Sequence, residues 1–197
     1  MLTIGRGYGS WRIPASVIST PGRTAVLAGA GEEITLDKFL SDYGFEVFIV
    51  DPTPRAIKFA ELEMSNRENV KIIKHGFWSK SGVVDFWLPI DPSHVSLSIK
   101  NLQKSSKKMK LAVKTVKDFM NENNISHIDI LKLDIEGAAI DTLDKMFSDH
   151  IYPDYILVEY EDFALTLKFI MHFVKIRKSN YKLVSRSELD FVFVRSY

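Results

Sequence analysis

The stretch AVLAGAGEE, residues 25–33, passes from an apolar, strand-like run into two glycines one residue apart and then into two carboxylates. A strand that ends on Gly29-Ala30-Gly31 and opens a helix brings bare backbone close to a ligand, as dinucleotide-binding turns do. The dinucleotide pattern G-x-G-x-x-G is incomplete here, because counting from Gly29 puts Ile34 at the third glycine position. Glu32 and Glu33 stand where a pyrophosphate needs free amides and a positive helix end. Either the turn serves a ligand without phosphate, or the two acids simply complement the dipole of the helix they begin.

Outward from this turn, apolar β-branched runs alternate with amphipathic ones from Thr24 onward. That pattern predicts an α/β domain in which a mainly parallel sheet carries helices on both faces. Seven strands are expected: residues 24–29, 46–51, 69–77, 127–134, 154–161, 181–187 and 189–196, the last two joined by a tight turn at Ser187-Glu188. Residues 81–89, SGVVDFWLP, alternate like an extra strand or hairpin arm. Helices are expected at 34–44 with Gly44 as the C-terminal cap, and at 54–65 with Pro54 in the first turn. Others are expected at 116–123, 137–147 and 163–178. A seven-stranded, doubly wound sheet ending in an antiparallel hairpin differs from a purely parallel Rossmann domain, which would place a helix between the last two strands. Residues 1–23 read as an N-terminal arm. Residues 100–117, with seven lysines, read as a loop region within a single domain of 197 residues.

Composition narrows the partners. The net charge is +1, with 46% hydrophobic and 26% charged residues, so there is no global attraction to nucleic acid or to an anionic membrane. The absence of cysteine excludes disulfides, thiolate metal sites and cysteine nucleophiles, and fits a reducing compartment. Arg6, Arg12 and several glycines interrupt the N-terminus MLTIGRGYGSWRIP, which reads as neither a signal peptide nor a membrane span. The expectation is a cytoplasmic protein, with oligomeric state left open.

In open α/β sheets, ligands bind beyond the carboxyl ends of the strands. Those ends read Gly29-Ala30-Gly31-Glu32, Asp51-Pro52-Thr53, His75-Gly76-Phe77-Trp78, Asp134-Ile135-Glu136-Gly137 and Glu159-Tyr160-Glu161. Four of the five carry carboxylates, which suits a ligand bearing cations and hydroxyls better than a phosphate. Asp51, twenty positions after Gly31, can accept hydrogen bonds from both hydroxyls of a ribose, or can merely open the turn before Pro52. Phe77 and Trp78 fall where an adenine ring would stack, and Tyr8 and Trp11 could close over the same ligand or pack the arm.

The segments LAGAGEEITLD (27–37), VFIVDPTPRAI (47–57) and LKLDIEGAAIDTL (131–143), with GYGSWRIP (7–14) near the start, together resemble the FkbM-type family of S-adenosylmethionine-dependent methyltransferases. The resemblance covers nearly the whole chain and implies a class I methyltransferase (Rossmann-like) fold. It also implies S-adenosylmethionine as cofactor and a hydroxyl acceptor on a sugar, glycolipid or secondary metabolite. It assigns Gly29, Gly31 and Glu32 to the methionine end of the donor, Asp51 to its ribose, and Asp134 with Glu136 to the acceptor side. The sequence departs from the family pattern at Ala139, where a second acid is frequent, and at Glu33, where an aspartate is common. An ammonium and a sulfonium without phosphate would explain why the opening turn is acidic.

A protonated aliphatic hydroxyl is a poor nucleophile, so methyl transfer calls for a base within reach. Asp134, Glu136 and, in the loop PSHVSLS, His94 are the candidates; alternatively Asp134 holds only the donor, Glu136 anchors the following helix and His94 is a solvated loop residue. Asp134, Glu136, Glu159 and Glu161 could alternatively hold magnesium, although no H-E-x-x-H zinc pattern is present. Lys104, Lys107, Lys108 and Lys110 either flank an acidic acceptor or form a solvated loop. Two further classes stay open: a nicotinamide-dependent oxidoreductase, which the Glu pair opposes, and a degenerate binding module on the same fold.

Overall fold

The alternation of strands and helices closes into one seven-stranded sheet and two smaller ones, of three and two strands, in a computed structural model that describes residues 1–5, 9–19, 23–91, 97–101, 104–160 and 166–196. The chain begins with β1 (Leu2–Ile4) and β2 (Trp11–Ile13), an antiparallel pair, and a short 3-10 turn. It continues through β3 (Thr24–Ala28), α1 (Thr35–Asp42), β4 (Glu46–Val50), α2 (Pro54–Glu63) and β5 (Val70–Ile73). Three short strands follow: β6 (Gly76–Phe77), β7 (Gly82–Trp87) and β8 (Lys108–Lys114). The second half runs α3 (Val116–Glu122), β9 (Ile130–Leu133), α4 (Ala139–Ser148), β10 (Tyr155–Glu159), α5 (Leu167–Lys178), β11 (Tyr181–Ser187) and β12 (Asp190–Arg195).

The main sheet has the order β11-β12-β10-β9-β3-β4-β5. Its β3, β4, β5, β9 and β10 pairings are parallel, while β12 lies antiparallel to both β10 and β11. From β3 the chain winds outward to β5 and returns to β9 on the other side, so the strand order reverses between β3 and β9. Side-chain alternation divides the core in two. Val26, Ala28, Phe48 and Val50 pack with α3, α4 and α5, whereas Ala25, Leu27, Val47 and Ile49 pack with α1, α2 and the N-terminal hairpin. Helix ends follow local chemistry: Gly44, at φ +80°, ends α1, and the hydroxyls of Thr115 and Thr166 accept from the backbone N–H three residues on.

Two expectations need correction. Residues 69–77 are not one strand: β5 stops at Ile73, and β6 leaves for a three-stranded sheet of order β6-β8-β7. The lysine-rich segment is not simply a loop either, since Lys108–Lys114 forms β8 and pairs with the arm expected at 81–89. In KMKLAVK the apolar residues Met109, Leu111 and Val113 recur with period two, and the interleaved lysines mask that alternation. Helix α5 begins at Leu167, and residues 161–165, which the sequence reading placed at its start and at the end of the fifth strand, lie outside the described residues.

Candidate active site

The turns that follow the parallel strands line one crevice of about 450 Å³ at the reversal of strand order. Its first wall is the glycine turn. Gly29 has φ +86°, and a Cβ there would lie 1.7 Å from the Asp134 carbonyl oxygen, so the turns after β3 and β9 interlock only because residue 29 has no side chain. Gly31, at φ +53°, instead has open space where a Cβ would stand.

Asp51, buried at the end of β4, fastens this turn. Its Oδ2 accepts from the Ala30 N–H at 2.9 Å and from the Gly31 N–H at 3.4 Å, while Oδ1 accepts from the Thr53 N–H at 2.7 Å. It therefore opens the Pro52 turn and also faces the crevice. The two glutamates have local partners: Arg55 donates from Nε and Nη2 to Glu32 at 2.7 and 2.8 Å, and Glu33 accepts from the Thr35 N–H at 3.1 Å at the start of α1. Glu32 lines the crevice with its charge already met by Arg55.

Beneath the turn lies a charge that the sequence reading overlooked. Lys132 sits in the wholly buried strand β9 and is only 4% exposed. Its ammonium donates to the Gly29 carbonyl at 2.8 Å and lies 3.2 Å from Asp134 Oδ2, with the Trp11 ring centroid 5.9 Å away. Burial disfavours the ammonium, but the charges of Asp134 and Asp37 outweigh it and hold the Lys132 pKa above its ordinary value. Asp37, buried in α1, is pushed up to about 6 by desolvation despite the pull of Lys132.

Asp134 and Glu159 behave in opposite ways. Burial would raise Asp134, yet Lys132 and hydrogen bonds from Glu159 and Lys132 bring its carboxyl below the usual value. Glu159 is pushed up to about 9 by burial and by the hydrogen bond to, and the charge of, Asp134. Near neutral pH, Asp134 is thus a carboxylate between an ammonium and a neutral carboxyl group. Asp190, opposite Glu159 in the β10–β12 register, is raised to about 6, first by burial and then by Asp134.

Of the residues singled out in the sequence, Gly29, Ala30, Gly31, Glu32, Asp51, Pro52, Thr53, Gly76, Phe77, Asp134, Glu136 and Trp11 all line this crevice. Trp78 does not: alternation along the chain after β6 turns Phe77 inward and Trp78 away, beneath Lys80 at 5.1 Å. His75 is also outside, buried beside the Phe77 and Phe119 rings. Tyr8, His94 and Glu161 lie outside the described residues. Besides Lys132, sequence reasoning missed Phe86 and Leu97, which line the crevice from β7 and from residues 97–101. That segment rests on the LDIEGA turn, where Ser98 Oγ donates to the Glu136 carbonyl at 3.0 Å and the Lys100 side chain covers Gly137. The signal for Lys132 was present, because a charge inside ILKL needs a buried partner. Among the described residues, donor atoms converge closely enough for a metal only at His127, Asp129 and Asp154, at the amino ends of β9 and β10.

A doubly wound sheet with β12 antiparallel between β10 and β11, and an acid-lined crevice at the switch point, defines a Rossmann-like domain of the class I methyltransferase type. A family model described as the methyltransferase FkbM domain matches residues 26–183, and the chain belongs to that family. No curated protein matches the sequence. Among solved structures, the METTL16 MTase domain aligns at 11% identity and TM-score 0.53, covering 92% of this chain but 63% of its own, less than two thirds. A Methanococcus jannaschii fibrillarin pre-rRNA processing protein aligns at 12% identity and TM-score 0.51, covering 90% of this chain and 68% of its own. A fibrillarin/Nop5p complex gives 13% identity and TM-score 0.50, covering 89% and 73%. At such identities the likeness shows the fold alone.

Proposed function

We propose that the protein transfers a methyl group from S-adenosylmethionine to a hydroxyl group, on a sugar, glycolipid or secondary metabolite, with Asp134 as the proton acceptor. The observation that carries this reading is the Asp134 carboxyl group, placed in the crevice at the switch point 3.2 Å from the buried Lys132 ammonium, which also holds the glycine turn, with Glu159 in the same lining. The crevice suits such a donor. Gly31 leaves room for close approach, Asp51 offers acceptor oxygens, nearly fully buried Phe77 backs the wall from the core, and the acid-rich lining favours a cationic ligand. When bound, the donor supplies a methyl group on a sulfonium, already activated for in-line displacement.

The chain's own contribution is positioning and proton transfer. Lys132 fixes the Asp134 carboxylate and ties it to the glycine turn through the Gly29 carbonyl, so the donor and acceptor walls are set relative to each other. The neutral carboxyl of Glu159 donates to Asp134, which orients the remaining lone pairs of the carboxylate. Because Lys132 makes Asp134 a weak base, the hydroxyl proton moves to it late, as the oxygen acquires its bond to the methyl carbon. Glu136, on the same turn beneath Ser98, is the second candidate for that role.

The test is S-adenosylhomocysteine release over a panel of hydroxylated sugars, glycolipids and secondary metabolites, followed by turnover of Asp134→Asn and Glu136→Gln at saturating donor. Loss of about 100-fold or more in Asp134→Asn, with donor affinity within a few-fold of wild type, is expected for a general base. Normal turnover in Asp134→Asn would remove it from that role.

A further inference from the structure

A second cavity of about 660 Å³ adjoins the crevice, and the two share Thr53 and Leu97 in their linings. Its lining combines apolar Leu88, Pro89, Ile90 and Met109, of which Ile90 and Met109 are exposed, with the cations Arg55, Lys104 and Lys107. These cations are not equivalent. Arg55 is held in two hydrogen bonds by Glu32, and the neighbouring Lys108 pairs with Asp85 at 2.5 Å. Lys104 and Lys107 are ion-paired with no described residue, and both side chains are exposed.

Their backbone is held in a specific shape. Lys104 adopts φ +54°, a region that non-glycine residues seldom occupy, and its N–H donates to the Asn101 carbonyl at 3.3 Å. Asn101 Nδ2 donates to the Ser105 carbonyl at 2.9 Å, and the hydroxyl of buried Ser105 accepts from the Lys107 N–H at 3.2 Å. A solvated lysine loop requires neither this turn nor an apolar lining beside it.

One crevice of 450 Å³ is filled by a single ligand of drug size, so an acceptor must extend beyond it. We infer that the second cavity is the acceptor subsite and that the acceptor is an amphiphilic acid. Its apolar body covers Leu88, Ile90 and Met109, and its carboxylate or phosphate lies between Lys104 and Lys107. Its hydroxyl passes Thr53 and Leu97 toward Asp134. The inference rests on the methyl-transfer reading for that last step, while the cavity's preference for apolar anions stands independently of it.

The test is calorimetric titration with 1-naphthyl phosphate, 1-naphthoate and uncharged 1-naphthol, with and without saturating S-adenosylhomocysteine. At least one of the two acids should bind about tenfold or more tightly than naphthol, as expected for a ligand anion meeting two ammonium groups. The tighter of the two identifies phosphate or carboxylate as the anion. K104E/K107E should bring all three within about twofold of one another, Lys104→Gln and Lys107→Gln should each remove part of the preference, and Met109→Ser should weaken all three. Naphthol binding as tightly as both acids, or a preference that survives K104E/K107E, would overturn the inference. If S-adenosylhomocysteine fails to bind while the naphthyl series behaves as expected, the methyl-transfer reading falls and the anion-selective cavity stands.

Discussion

Gly29 and Gly31, with one residue between them, do different work, and substitution separates them. A Cβ at Gly29 would collide with the Asp134 carbonyl, so Gly29→Ala must part the β3 and β9 turns and should yield little folded protein or none that binds donor. Gly31 has space, and Gly31→Ala should cost only about 1–2 kcal/mol through its left-handed backbone, read by urea unfolding. Lys132 is the other decisive residue. Lys132→Met leaves Asp134 and Asp37 without their buried cation and should destabilise the fold by roughly 3 kcal/mol, at the low end for a broken buried pair because Asp134 is partly exposed. Glu159 sets a pH dependence with a defined sign. Its folded pKa of about 9 exceeds the ordinary 4.5, so between these values the folded state holds the extra proton and stability falls as pH rises. Melting temperature should therefore drop from about pH 7 to pH 9, and drop less in Glu159→Gln. The acids of this site were legible in sequence because strand ends mark it. The partnership that gives Asp134 and Glu159 different protonation states was not, since it depends on the lateral register of β9 against β10.

At the level of elements, the strands of the main sheet were readable because each buried run is short, apolar and bounded by a turn residue. The small sheet was read only through its β7 arm, because β8 carries lysines at alternate positions and β6 has two residues. It matters for function: β7 contributes Phe86 to the crevice, and the stretches after β7 and before β8 build the neighbouring cavity. A polar relay fastens α5 to α4 and to the end of β10. Buried His172 of α5 bridges Asp144 of α4, at 2.8 Å from its Nδ1, and the Tyr160 hydroxyl beyond β10, at 2.7 Å from its Nε2. Nothing in sequence spacing pairs these three residues, which come together only when α4 and α5 pack on one face. Tyr160→Phe keeps the ring contacts with Phe169 and Phe191 but leaves the imidazole with an unmet group. It should cost about 1–3 kcal/mol in chemical denaturation, with donor binding unchanged.

For the whole molecule, the order β11-β12-β10-β9-β3-β4-β5 places the acid-bearing turns along one edge, so the near-zero net charge conceals a locally acidic crevice. No described helix is long and apolar enough to cross a membrane. In the N-terminal arm, Ile4, Trp11, Ile13 and Val17 are buried with the α1–α2 face, and Trp11 lines the crevice near Lys132. The central claim is that this crevice holds a cationic methionine-derived donor rather than a dinucleotide. Calorimetric titration of the purified protein with S-adenosylmethionine and, separately, with NAD tests it most directly, with the productive titration repeated on Asp51→Ala. The account predicts binding in the micromolar range for S-adenosylmethionine, weakened by the substitution, and none for NAD; binding of NAD, or of neither ligand, would contradict it.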